Sequence, residues 1–280
     1  MSKEQHKKYV AAIFEALAAS SSIATLVAFA FDIKFAVCCG IILMVLIGLV
    51  CYIYAEYQTI QKTSVTIDVE QQLKLTISQG DLFAQNGIIL IPVNEYFDVH
   101  VGNGVIDPGS IHGIFIRKYF NGCELELNHL IQDYLAKHCT DKKVDEVKSR
   151  ESYCNSGKYQ LGTCVDIKVC GKTFVLFALT HFNEKNKASV GRYELHQVIQ
   201  KIMKHVSDIC ESQPVSMPLF GTGMSRIQRS PQRILHFIVD CIDFECSDKE
   251  IPGGLNIKIL SLEDTKVNLN DIANIFEERG

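Results

Sequence analysis

The sequence predicts an α/β protein in two parts: an N-terminal helical hairpin that crosses a membrane, and a water-soluble domain with a three-layer α/β/α plan around a mixed sheet. Three observations carry this. Two long apolar runs, about 9–31 and 35–55, open the chain with only Asp32, Ile33 and Lys34 between them. A bilayer core takes about 20 apolar residues as helix, which each run supplies. From about Glu56 onward, period-two strand patterns alternate with period-3.6 helix patterns, the rhythm of a sheet covered by helices. The expected division is therefore 1–60 for the hairpin and 61–280 for the folded domain.

Lys3, Lys7 and Lys8 precede the first run, and short Lys-rich segments stay on the cytoplasmic side. Two spans then return the domain to the cytoplasm, giving a multi-pass protein of the cell membrane with lipid as one partner. Ala28, Phe29 and Ala30 would also fit the cleavage site of a leader, but the apolar stretch is longer than a leader core. Glu15 is the one formal charge inside a span, facing either a partner or the headgroups. Ala16, Ala18, Ala19, Ser20, Ser21 and Ser22 would let helices approach closely, a hint of self-association. Eleven cysteines, odd in number and without C-x-x-C spacing, read as reduced, mostly buried small apolar residues.

In the domain, Val65, Ile67 and Val69 and then Leu73, Leu75 and Ile77 mark two strands, broken by Gly80 and Asp81. Gly87 to Val93 is apolar throughout, as a strand buried on both faces would be. A loop containing Gly102, Asn103 and Gly104 leads to a helix from Ser110, and Leu127, Leu130, Ile131, Tyr134 and Leu135 define another over about 124–138. Residues 141–159 are polar and read as an exposed insertion. Cys164 to Cys170 and Thr173 to Thr180 form a hairpin around Gly171 and Lys172. A long amphipathic helix over about 190–210 precedes a short strand, Val215 to Leu219, and a loop over 220–229. Ser230 and Pro231 then open a helix as cap and first residue. Leu255 to Leu260 is the last strand, and Leu269, Ile272, Ile275 and Phe276 mark the terminal helix.

The net charge of −4 falls entirely on 61–280, since residues 1–60 carry four basic and four acidic groups. That excludes general nucleic-acid binding, which depends on excess Lys and Arg. No P-loop, G-x-S-x-G or paired metal-ligand motif is present, so neither a cofactor nor a metal is expected. Two glycine-rich turns stand where α/β sheets hold ligands, beyond the carboxyl ends of strands. One is Gly102, Asn103, Gly104, Val105; the other is Phe220, Gly221, Thr222, Gly223, Met224. Each either makes a tight connection or lets backbone N–H groups converge on phosphate oxygens, and two on one sheet suggest a diphosphate.

Gly80-Asp81-Leu82 after a strand, a strand ending Val93-Asn94, a glycine loop before Ser110-Ile111-His112 and the segment Pro218 to Gly223 together resemble the macro domain, over roughly 65–280. The resemblance implies that Asp81 holds the adenine amino group of ADP-ribose, that Gly102 to Val105 wrap one side of the diphosphate and Gly221 to Met224 the other, and that Leu82, Asn94, Pro218 and Phe220 also line the ligand. Catalytic macro domains carry a second asparagine in a V-N-A-A-N segment, where this chain has Val93-Asn94-Glu95-Tyr96-Phe97. The change favours binding over turnover and leaves no catalytic residue assigned. Asp98, His100 and His112 could supply a base, or be solvated loop residues.

Two spans followed by such a domain resemble the membrane effector of the bacterial Thoeris anti-phage system. That resemblance implies that a TIR-domain partner enzyme makes an ADP-ribose conjugate, with histidine as the expected distal group. The macro domain would bind this signal, the protein would associate with itself, and the membrane would be disrupted in abortive infection. The alternative is a membrane-anchored hydrolase of ADP-ribose conjugates.

Overall fold

The computed structural model describes Glu15, Ala19 and residues 33–59, 62–69, 73–221, 229–245 and 251–277. The chain divides into two compact units, Met1–Gln61 and Lys62–Gly280.

In the first unit the described element is α1 (Ile33–Thr59). Ile41, Met44, Leu46, Leu49, Val50 and Ile53 are exposed along it. The expected two-span hairpin, and the multi-pass membrane placement with it, is corrected here. Among the described residues no helix is long and apolar enough to cross a membrane. The span expected over 9–31 lies outside the described residues except for Glu15 and Ala19, both helical and exposed. The span expected over 35–55 falls on α1.

The second unit is a mixed sheet. Its strands are β1 (Ser64–Val69), β2 (Leu73–Gln79), β3 (Ile88–Asn94), β6 (Cys164–Val169), β7 (Lys172–Phe182), β9 (Val215–Pro218) and β10 (Leu255–Ile259), with β8 (Ala188–Ser189) on β7. A separate hairpin is formed by β4 (Lys143–Glu146) and β5 (Gly157–Tyr159). The order across the main sheet is β1-β2-β10-β9-β3-β7-β6. The five strands from β2 to β7 run parallel, and β1 and β6 close the edges antiparallel.

Burial explains this layout. Consecutive residues of β3 and of the middle of β7 are buried, so both faces of the sheet centre are covered, as parallel strands require. β1 alternates exposed and buried residues, as suits an antiparallel edge with one wet face. The helices are α2 (Ile111–Tyr119), α3 (Glu124–His138), α4 (Arg192–Ile209), α5 (Pro231–Glu245), α6 (Leu262–Thr265) and α7 (Leu269–Glu277). α4 buries the expected Leu195, Val198, Ile202 and Val206, and α3 buries Leu127, Ile131 and Leu135 of its expected face while Tyr134 is half-buried and Leu130 exposed. Cys139, Cys164, Cys210 and Cys241 are buried, but Cys38, Cys123 and Cys170 are exposed, so the cysteines are less uniformly interior than their composition suggests.

The polar insertion is mostly exposed, as expected. Residues 143–159 form the β4–β5 hairpin, and its connecting segment is fastened to the loop that follows β3. Asn155 donates its backbone N–H to Asp98 Oδ1 (2.8 Å) and its side-chain amide to the Phe97 carbonyl (2.8 Å).

Candidate functional site

The register of the parallel strands places the candidate residues. Gln79 is level with Ile259, Lys258 with Pro218, and Ile89 with Ser216. Continued past the strand ends, this puts Asp81, Ser261, Gly221 and Asn94 in one row along the carboxyl edge of β2, β10, β9 and β3. Strands lie about 4.8 Å apart, so the row spans about 14 Å. It lies where open α/β sheets hold ligands.

At one end, Asp81 caps the 3-10 turn Leu82–Ala84: its Oδ1 accepts from the Phe83 N–H at 2.9 Å while the residue itself stays exposed. Leu82 is 4% exposed and packs in the core, so only its backbone can face a ligand. Leu260 follows β10 in the middle of the row and is 75% exposed. An apolar side chain held open at the centre of a sheet edge is the residue that the sequence reading missed. The sequence pattern counts it as the last residue of the strand 255–260, whereas the strand ends at Ile259.

In the centre, Pro218 and Phe220 are buried, with the Phe220 ring edge-on to Phe177 at 5.5 Å. They hold the strand end in place, and Gly221 turns the chain with φ 87°, a conformation that favours glycine. Thr222, Gly223 and Met224 lie outside the described residues.

The other glycine turn leaves the carboxyl end of β3. Gly102, Asn103 and Gly104 have φ of 104°, 49° and 75° in succession. A Cβ on either glycine would meet nothing within 4 Å, so backbone conformation, not crowding, selects glycine here. The turn uses its own Gly102 N–H (to Ile106 O, 2.8 Å) and Val105 N–H (to Gly102 O, 2.9 Å). Val105 is buried, and Asn103 Nδ2 sits 3.1 Å from His100 Nε2. Asp107 and Ser110 then carry the chain into α2, where Ser110 Oγ accepts from the Gly113 N–H at 3.0 Å.

At the far end, Asn94 is 3% exposed, and its Oδ1 accepts from the Tyr96 N–H at 2.9 Å, so it shapes the following loop. That loop is not solvated, contrary to expectation. Glu95, Phe97 and Asp98 are each 0% exposed. Glu95 is paired with Lys158 (3.4 Å) and with His181 Nδ1, and accepts the Phe182 N–H at 3.0 Å. His181 also reaches Glu194 (3.0 Å); its hydrogen bond to Glu95 leads in raising its pKa above the ordinary value. Asp98 receives both guanidinium nitrogens of Arg150, at 3.0 and 2.8 Å, and Arg150 lies 3.8 Å from the Tyr96 ring centroid. Both oxygens of this carboxylate are engaged, Oδ1 also accepting the Asn155 N–H. His112 is also interior, at 6% exposure, with Nε2 unpartnered; burial pushes its pKa down to about 3.

An α/β/α layering with a mixed sheet, and a carboxyl-edge row running from a capping aspartate to a buried asparagine, define a macro domain. A macrodomain of Oceanobacillus iheyensis has the same fold. A structure of it with ADPR superposes with a TM-score of 0.52 at 10% identity, covering 76% of this chain and 99% of that one. A second, with ADP, gives 0.51 at 9% identity, covering 77% and 97%. Within that class, the family described as "Thoeris protein ThsA, Macro domain" matches residues 75–260, and the chain belongs to this antiviral-defence family. A Thoeris protein ThsA of Bacillus amyloliquefaciens (strain Y2) is 24% identical over 251 residues, 87% of this chain and 81% of that protein.

Proposed function

We propose that this protein is a ligand-responsive Thoeris effector whose macro domain binds an ADP-ribose-derived signal without consuming it. The observation that carries this reading is the row at the carboxyl edge. A carboxylate stands at one end, where it can accept from an adenine amino group, with an open apolar residue, Leu260, beside it for the base. Backbone turns at Gly102–Gly104 and Gly221 lie further along for a diphosphate. Asn103 and Gly104 contribute the amides that the first turn does not itself engage. Asp98 and His112 are both buried, Asp98 also tied to Arg150, which favours a receptor over a hydrolase because neither is exposed to a bound water.

In this reading the signal is a histidine conjugate of ADP-ribose released by a TIR-domain partner enzyme. Binding then shifts the protein toward self-association, which requires the ligand to prefer the associated state. The exposed apolar residues of α1, Leu46 and Leu49 among them, are a surface that association would cover.

Calorimetry of the full chain with ADP-ribose and with its histidine conjugate tests the reading, with light scattering in parallel. Binding without product formation, and a rise in mass with ligand, is the expected result. Asp81→Ala removes a charged hydrogen bond of about 1.5–3 kcal/mol, so its affinity should fall by roughly one to two decades. Steady release of free ADP-ribose from the conjugate would show a hydrolase instead.

A further inference from the structure

His181 stands at the base of a hairpin that leaves the carboxyl end of β7. Its backbone pairs with Ser189 of β8, and the chain then passes through Gly191 into α4. Both of its ring nitrogens meet a carboxylate: Nδ1 meets Glu95 Oε2, and Nε2 meets Glu194 Oε1 at 3.0 Å. An ionised carboxylate only accepts, so both nitrogens carry a proton and the ring is an imidazolium. The two acids differ in their surroundings. Glu95, in the loop after β3, is fully buried, accepts the Phe182 N–H at 3.0 Å and is faced by Lys158 of β5 at 3.4 Å. The Glu194 side chain is 40% exposed, and its other oxygen accepts the Gly191 N–H at 2.7 Å, closing the first turn of α4. On the hairpin itself Glu184, Lys185 and Lys187 are exposed.

A neutral imidazole donates from one nitrogen only, so loss of the proton turns a lone pair toward one of the two carboxylates and that contact parts. Glu95 is shut off from solvent that could replace a lost donor, whereas Glu194 is open to it. The proton therefore stays on Nδ1, and Glu194 is let go. What then holds the hairpin is the two-residue pairing of β8 and the Arg150 contact to Asn186 Oδ1 at 3.2 Å. We propose that His181 is a pH-sensitive latch: as the imidazolium it fastens the hairpin 183–191 and the first turn of α4 to the loop after β3, and as the neutral ring it releases them. The hydrogen bonds to Glu95 first and Glu194 second raise the pKa of the ring above its ordinary value. The latch is thus closed below pH 6.5 and opens as pH climbs through the raised value. It needs no ligand, so its test stands apart from the ligand reading above.

Hydrogen exchange of the full chain, read by mass spectrometry at pH 6 and pH 9 and corrected for the pH dependence of exchange itself, tests the latch in the wild type, His181→Gln and Glu194→Gln. Glutamine at 194 keeps an oxygen for the Gly191 N–H and can either accept from a protonated Nε2 or donate to a bare one, so it suits both forms of the ring. Protection of 183–194 should fall roughly tenfold or more in the wild type between pH 6 and pH 9. In Glu194→Gln it should change by no more than about twofold, and in His181→Gln it should be low at both pH values, while the buried strand β3 holds its protection throughout. Equal protection of the wild-type hairpin at both pH values overturns the latch. So does the same fall in Glu194→Gln, or full protection in His181→Gln at pH 6. A parallel loss in β3 overturns it as well, because the release would then be global unfolding.

Discussion

Replacing His112 by leucine should make the protein less sensitive to acid, by an amount that follows from burial. His112 sits in the first turn of α2, where a cation would also oppose the helix dipole, and it is 6% exposed with Nε2 unpartnered. Its pKa is down at about 3 in the folded protein against 6.5 in a free chain. Between those values the unfolded chain binds a proton that the folded one does not, so stability falls as pH falls below 6.5. Each pH unit is worth about 1.4 kcal/mol, so between pH 7.5 and pH 5 the wild type should lose about 2 kcal/mol through this residue. The loss approaches roughly 5 kcal/mol near pH 3. Leucine removes both the titration and the unpartnered nitrogen, which itself costs about 1–3 kcal/mol. Urea unfolding at pH 7.5 and pH 5 measures the difference, followed by circular dichroism because the chain has no tryptophan. The wild type should lose about 2 kcal/mol more than His112→Leu over that interval. Parallel losses in the two proteins would refute the assignment of a neutral, buried imidazole.

Three further outcomes are expected. His181 has its pKa raised first by the hydrogen bond to Glu95, so its stabilising contribution is complete below pH 6.5 and fades as pH climbs through the raised value; His181→Gln should flatten the fall in melting temperature from about pH 6.5 upward. Gly113→Ala places a Cβ 2.3 Å from the Asp107 carbonyl oxygen and 2.9 Å from Pro108 Cα; the clash should cost about 1–3 kcal/mol in urea unfolding and, by displacing the turn before α2, weaken ligand binding in calorimetry. Leu260→Asp should leave unfolding within about 0.5 kcal/mol because the side chain is exposed, yet lower ADP-ribose affinity about tenfold.

Local pattern carried most of the elements. Alternation at Val65 to Ile77, the solid apolar run before Asn94 and the three- and four-residue spacing in α3 and α4 each reflect which faces must be dry, and a face is written within a few residues. The glycines of the two turns were legible for a similar reason, since positive φ restricts residue type at one position. The N-terminal runs show the limit of composition: apolar length argues for two spans, while the described residues contain no helix that meets the requirement.

What the sequence by itself determined was the seven strands ordered across the main sheet, most of the helices, and Asp81 and Asn94 as strand-end residues of a macro domain, while β4, β5 and β8 were not legible in it. The tertiary structure alone decided that these two share a row, because β10 and β9 insert between β2 and β3 from far along the chain. It also left Leu260 exposed one residue before Ser261 of that row and drove Arg150, from a segment that reads as solvated, onto a fully buried carboxylate. A fully buried charge is stable only beside its partner, and that partner is set by sheet order and loop packing, not by spacing in the sequence.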